Sequence, residues 1–139
     1  MATTSTITKV ERFSVDVPDQ PGEGARVLEA LAAAKVNLVA AWGYPMGGSG
    51  TSRIELVSSD SAALRAAARN AKVKLNRESA AFHVSGPDKP GAVASAARKL
   101  ADAGVNIHAV QAVSSGSKYG CLIEVAAQDV RKAAKALGV

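Results

Sequence analysis

Hydrophobic and polar positions alternate first at Phe13, Val15 and Val17, with Ser14 and Asp16 between them, which predicts a half-buried strand. The same alternation returns at Phe82 and Val84 with His83 and Ser85. Each stretch runs into a Pro-Asp-x-Pro-Gly turn, at 18–22 and again at 87–91. The period then changes. Val27, Leu28 and Leu31 in one copy, and Val93, Ala97 and Leu100 in the other, fall at helical spacing. Gly104 stands where the second helix should end, as a C-cap, and Lys35 holds that place in the first. Val36 to Trp42 and Val105 to Val113 read as second strands. Gly-rich hairpin loops follow, at 43–50 and 114–117. Third strands are expected over Ser52 to Val57 and Cys121 to Ala126. Asp60 and Asp129 are then placed to N-cap helices over Ala62 to Asn70 and Val130 to Leu137.

The chain therefore repeats itself at a shift of 69 residues without a gap. Identities cluster where turns are made. Pro18-Asp19-Gln20-Pro21-Gly22 falls on Pro87-Asp88-Lys89-Pro90-Gly91, Val36-Asn37-Leu38 on Val105-Asn106-Ile107, and Ile54-Glu55 on Ile123-Glu124. After the first copy, Lys72 to Leu75 can form a fourth strand. The second copy ends at Val139 and has no sequence left for one. The β-prone stretch Thr6 to Val10 is spare. It, or a partner chain, fills that vacant edge; alternatively it lengthens the first strand. The expected division is residues 1–77, with the N-terminal stretch as an extension, and residues 78–139.

Strand-helix-strand-strand-helix-strand is the split βαβ order of ferredoxin-like folds, which host many functions. Asp-x-Pro-Gly between the first strand and first helix, with Val-Asn-Leu/Ile opening the second strand, is more specific. On these residues both copies, over 12–139, resemble the ACT domain. The fold class this implies is α+β: two tandem ferredoxin-like βαββαβ modules, each an antiparallel sheet with helices on one face. ACT domains sense small molecules, most often amino acids, in aspartokinase, phosphoglycerate dehydrogenase and the small subunit of acetolactate synthase. No catalytic domain of that kind accompanies these modules in the sequence, so the resemblance implies a stand-alone regulatory protein. It also implies a ligand between paired modules, touching the loop after the first strand and the second strand of the neighbouring module.

The chemistry of that loop can be argued from its residues. Pro21 and Pro90 pre-set the first helical turn. Gly22 and Gly91 lack a Cβ, so backbone amides can approach a ligand. The amides of Glu23 and Gly24, or of Ala92 and Val93, face outward at a helix N-terminus, which favours a carboxylate. Asp19 and Asp88 either cap the helix or meet an ammonium group. Asn37 and Asn106 either bond backbone at strand entry or touch the ligand. The candidate binding residues are thus Asp19, Gln20, Gly22, Glu23, Gly24 and Asn37 in one copy, and Asp88, Lys89, Pro90, Gly91, Ala92, Val93 and Asn106 in the other. Glu23 would compete with a ligand carboxylate, whereas Lys89 would attract one. Loop 88–93 is therefore the expected principal site. In some aspartokinase-like modules a ligand-contacting Gln falls where this chain has Ala112; Gln111 lies one place earlier, and Trp42 occupies its position in the first copy.

Composition narrows the classes. Hydrophobic residues make up 47% of the 139, so a folded core is expected, but aromatics are only 4% and it must be aliphatic. Net charge is +5 and the pI about 9.6. The basic side chains are mixed with acids in runs of no more than two, and stacking aromatics are scarce. The excess reads as a solvated surface, and no nucleic-acid partner is expected. Cys121 is the sole cysteine and sits in an apolar run, which excludes a disulfide framework and suits a buried thiol. His83 and His108 have no third ligand in view, so neither metal nor cofactor is expected. No stretch is apolar enough for a membrane span, and the cytosol is the default location. No Ser-His-Asp set or carboxylate pair can be drawn, so the expected protein is not an enzyme. It is a homodimeric amino-acid sensor, or a ligand-free subunit that binds a biosynthetic enzyme; an RNA-binding module, which shares the βαββαβ order but carries aromatics on its sheet face, ranks third.

Overall fold

The computed structural model describes residues 5–139, so the first four residues of the expected first module lie outside the described residues. The chain forms two compact units. One comprises residues 11–78. The other comprises residues 79–139 together with the N-terminal segment ending at Val10.

In the first unit, β2 (Phe13–Pro18) leads to α1 (Glu23–Ala33), β3 (Leu38–Met46), β4 (Thr51–Ser58), α2 (Ser61–Asn70) and a short β5 (Asn76–Arg77). The sheet is antiparallel in the order β3-β4-β2-β5. Phe13, Val15 and Val17 point to one face, where they meet Val27 and Leu31 of α1, Ile54 and Leu56 of β4, and Leu64 of α2. The helices therefore share one side of the sheet, as the alternation requires. Burying side chains of this size contributes about 1.5–3 kcal/mol each.

The second unit repeats this with β6 (Ala81–Pro87), α3 (Ala92–Asp102), β7 (Ile107–Ser115), β8 (Lys118–Val125) and α4 (Val130–Leu137). Phe82, Leu100 and Ile123 are wholly buried in its core. The helices α1 and α3 are related by the 69-residue shift, as are β3 and β7. So is the irregularity that each second strand carries, between Leu38 and Ala40 and between Ile107 and Ala109.

The fourth place in the second sheet is taken by β1 (Thr6–Val10), giving the order β1-β6-β8-β7. Thr6 stands opposite Ser85 and Val10 opposite Ala81. Of the alternatives read from the sequence, the vacant edge filled from within the chain is the one formed. The N-terminal strand groups with residues 79–139, not with residues 1–77, because its backbone pairs with β6 and Ile7 packs on that core. Gly86 shows the accommodation in sequence. A Cβ there would lie 3.0 Å from Ser5 Oγ and 3.1 Å from Ser5 Cα. At the equivalent position of the first module, where no such strand crosses, the residue is Val17.

Several boundaries differ from the sequence pattern, each for a hydrogen-bonding reason. Val36 and Val105 do not open strands; their N–H groups donate back to Leu31 and Leu100 and close the helix ends. The second strands run on through Tyr44 and Met46, or Ser114 and Ser115. The true loops are only Gly47–Gly50 and the pair Gly116–Ser117. The fourth strand of the first module is Asn76–Arg77 rather than 72–75, because Val73 N–H returns to Ala68 while Val73 and Leu75 pack on the core. Asp60 caps α2 by accepting from Ala63 N–H at 3.0 Å. Asp129 makes no such bond at α4, since a 3₁₀ turn (Ala127–Asp129) precedes that helix.

Both α1 and α3 end in a left-handed residue, Gly104 at φ 74° and Lys35 at φ 59°. A side chain in that region is strained by about 1–2 kcal/mol. Replacing Lys35 with Gly is therefore expected to stabilise the first module by about 0.5–1 kcal/mol after the greater chain entropy of glycine is deducted. Urea unfolding of the two proteins would read this as a raised midpoint with unchanged slope.

Candidate functional site

The loop from β6 to α3 is fixed at both ends. Asp88 N–H donates to Ser117 O at 2.8 Å, tying the loop to the β7–β8 hairpin. Asp19 N–H makes the matching bond to Gly50 O at 3.0 Å in the first module. Gly91 (φ 82°) and Gly22 (φ 93°) occupy the N-cap positions in the left-handed region, which only glycine enters without strain. Neither helix is capped by a side chain, so Asp19 and Asp88 are not caps. Asp19 instead accepts from Ser52 Oγ at 2.8 Å.

The first amide of each helix is not outward-facing as read from the sequence. Ala92 N–H donates to Lys89 O at 3.2 Å, and Glu23 N–H to Gln20 O at 3.3 Å. The first intrahelical bond in α3 is Ser95 N–H to Gly91 O. That leaves Val93 and Ala94 as the first-turn amides without an intrahelical acceptor, at the positive end of the helix dipole.

Val93 and Ala94 line an open cleft of about 440 Å³ together with Asp88, Lys89 and Gly91 of the loop and Ala112, Val113 and Tyr119 of the sheet. The corresponding cleft in the first module is about 270 Å³. It places Gln20, Glu23 and Gly24 opposite Gly43 and Tyr44. The two are equivalent under the repeat: Gln20 matches Lys89, Glu23 matches Ala92, Gly24 matches Val93 and Gly43 matches Ala112. Ala112 thus lines the cleft, and Gln111 and Trp42 are not among its lining residues.

Charge differs between the two. Glu23 is paired with Arg26 at 3.1 Å. Arg53, also in the first cleft, donates to both Asp16 oxygens at 2.8 and 3.1 Å. That hydrogen bond holds the Asp16 carboxyl below its ordinary range and raises Arg53 above its own. Tyr44 donates to Glu55 at 2.6 Å, and buried Glu55 also pairs with Arg12. In the second cleft Tyr119 shares a 2.5 Å hydrogen bond with Ser5. The sequence places Tyr44 in a hairpin loop, whereas it belongs to β3 opposite Arg53; Tyr119 could be found from its alternation with Cys121 and Ile123 on the core face. Burial pushes the Cys121 thiol up, away from thiolate chemistry.

Asn37 and Asn106 are not brought to these clefts. Leu38 stands opposite Ser58, whereas the loop joins the sheet at Pro18 opposite Thr51. Six residues of strand separate the two ends by about 20 Å. Asn37 O accepts from Ser58 Oγ at 3.0 Å, a strand-entry bond. Pro90 and Gly22 shape the loops without lining the clefts. Among the described residues, no group of three or more His, Cys, Asp or Glu could hold a metal ion. No described helix is long and apolar enough to cross a membrane.

Residues 83–138 match the family model of the ACT domain, a span that leaves out β1 and the first module. No curated protein matches the chain in sequence. Solved structures share its fold. A protein from Bacteroides thetaiotaomicron superposes with a TM-score of 0.79 at 20% identity, covering 95% of this chain and 88% of that one. The regulatory subunit of aspartate kinase from Thermus thermophilus, in its ligand-free form, gives 0.62 at 21% identity, covering 98% and 95%. The same subunit from Thermus flavus gives 0.61 at 18%, again covering 98% and 95%.

Proposed function

We propose that this chain, in which residues 83–138 are an ACT domain, is a cytosolic regulatory protein that binds an amino acid in the cleft beside α3 and has no catalytic role of its own. The carrying observation is that one cleft is lined by Val93 and Ala94, the residues of the open first helical turn, together with Lys89 and Asp88. The amides and Lys89 suit a carboxylate, and Asp88 suits an ammonium group. The first cleft is smaller and already holds Glu23, so it is the weaker receiver. The structures that share the fold include regulatory subunits of aspartate kinase, which supports regulation over catalysis.

A second reading, binding to another chain, is favoured by the sheet edges. Strands β3 and β7 are edge strands of nine residues that carry no Lys, Arg, Asp or Glu. Val113 on β7 is 72% exposed and Val110 is 47% exposed. Natural edges are blunted with charge, proline or bulges; β3 has Pro45 and each strand an irregularity near its start, which leaves the stretch Ala109–Ser115 of β7 the more open edge. We read these as pairing surfaces, for a homodimer first and for a biosynthetic enzyme second.

The test is a thermal-shift screen against the twenty amino acids. A ligand at 100 times its Kd stabilises by about 2.7 kcal/mol, a shift of several degrees for domains this small. One or two selective hits are expected. A flat screen with a stable enzyme complex in a pull-down would replace the sensor by the partner-binding subunit. A ligand that touches only loop 19–24 would overturn the choice of the second cleft.

A further inference from the structure

Basic and acidic side chains balance over the rest of the chain, so the mixing expected from the sequence fails in one segment. Residues 61–77 contain Arg65, Arg69, Lys72, Lys74 and Arg77 and no acid, so this one segment accounts for the whole net charge of +5. It comprises α2, the turn after it and β5.

Three of the five surround a cleft. Arg65, Arg69 and Arg77 stand about a space of about 320 Å³ whose inner wall includes Val73 and Leu75. No acid lines it. The Arg65 guanidinium lies 5.8 Å from the centre of the buried Phe13 ring, which orients it. Arg77 reaches Glu11 at 3.2 Å, but both side chains are exposed, and such a pair is weak and readily exchanged. Arg65 and Arg69 are four residues apart on one helix, where like charges repel. The fold does not require this arrangement. At the same positions the second module has Ala134 in α4 and Gly138 just past its end.

We propose that this cleft binds a phosphorylated small molecule. Its phosphates would be held by the guanidinium forks of Arg65, Arg69 and Arg77, and its apolar part would rest on Val73 and Leu75. Planar forks match phosphate oxygens two at a time, and several positive charges without an acid call for a multiply charged anion. The cleft has the size of a small-ligand site. A polynucleotide track would need accessible aromatics for successive bases, and the ring in this lining, Phe13, is 2% exposed. These residues are separate from the loop clefts, so the proposal stands apart from amino-acid binding.

The experiment is calorimetric titration of the full chain with ATP and with inorganic pyrophosphate at about 0.15 M salt, where surface charge is screened beyond about 8 Å. Saturable binding of at least one probe is expected. The R65A/R69A variant should weaken it tenfold or more. R65K/R69K, which keeps charge and helix propensity, should also weaken it because the forks are gone. The thermal response to amino acids should be the same in all three proteins. The proposal is overturned if neither probe saturates below about 1 mM. It is equally overturned if both variants bind like the wild type, or if only a polynucleotide binds.

Discussion

Removing residues 1–10 is expected to cost the second module about 3 kcal/mol while leaving the first unaffected. Of this, roughly 1–2 kcal/mol comes from Ile7, which packs on the core around Phe82. The rest comes from the ladder between Thr6–Val10 and β6 and from the Ser5–Tyr119 hydrogen bond, at about 0.5–1.5 kcal/mol net for each hydrogen bond. A unit this small has only about 5–15 kcal/mol in hand, so the loss is large. It also bares the edge of β6 and invites association. Hydrogen exchange should accelerate along Ala81–Pro87 and stay slow along Phe13–Pro18. Equal exchange in both strands, with and without the segment, would show that β1 contributes nothing. Gly86→Val, which copies Val17 into the second module, should reproduce part of the effect, since its Cβ would press on Ser5.

The second large effect concerns the cleft. Ala92→Glu is expected to weaken amino-acid binding at least tenfold without lowering stability. A carboxylate in the first turn of α3 interacts well with the helix dipole, by about 0.3–1 kcal/mol, so the fold should be unchanged or slightly firmer. The same carboxylate would occupy the anion position beside Val93 and Ala94. In the first module Glu23 is partly neutralised by Arg26; the second has Ser95 at that place, so the new carboxylate would turn to Lys89 of the same cleft and withdraw it from a ligand. Calorimetry with the amino acid found in the screen, on wild type and variant, decides it. Unchanged affinity would remove the helix terminus from the ligand site.

Both modules were legible because they rest on local chemistry repeated twice. Alternation at Phe13–Val17 and Phe82–Val84, the Pro-Gly helix starts and the spacing of Leu31 and Leu100 are satisfied within a few residues of themselves. The site was legible in part. The loops stood out because two glycines and two prolines leave the backbone little choice there. Within each module the antiparallel register sets Asn37 and Asn106 at the opposite end of the sheet from that module's own loop, so a ligand shared with a loop would have to meet the loop of the neighbouring module. Ala92 and Glu23 were read as outward donors, but turn carbonyls at Lys89 and Gln20 take their amides.

The basic segment is a different case. Its residues are plain in the sequence, yet only the fold of α2 back onto β5 turns Arg65, Arg69 and Arg77 into one cleft. By itself the sequence determined the repeat, the order of elements and the aliphatic cores, because these follow from side-chain period and backbone preference over short spans. Which edge the N-terminal strand joins, where the strands truly end and which side chains face one another were decided only by the tertiary structure. Those outcomes depend on hydrogen bonds between residues as far apart as Thr6 and Ser85, and no local pattern distinguishes one such partner from another.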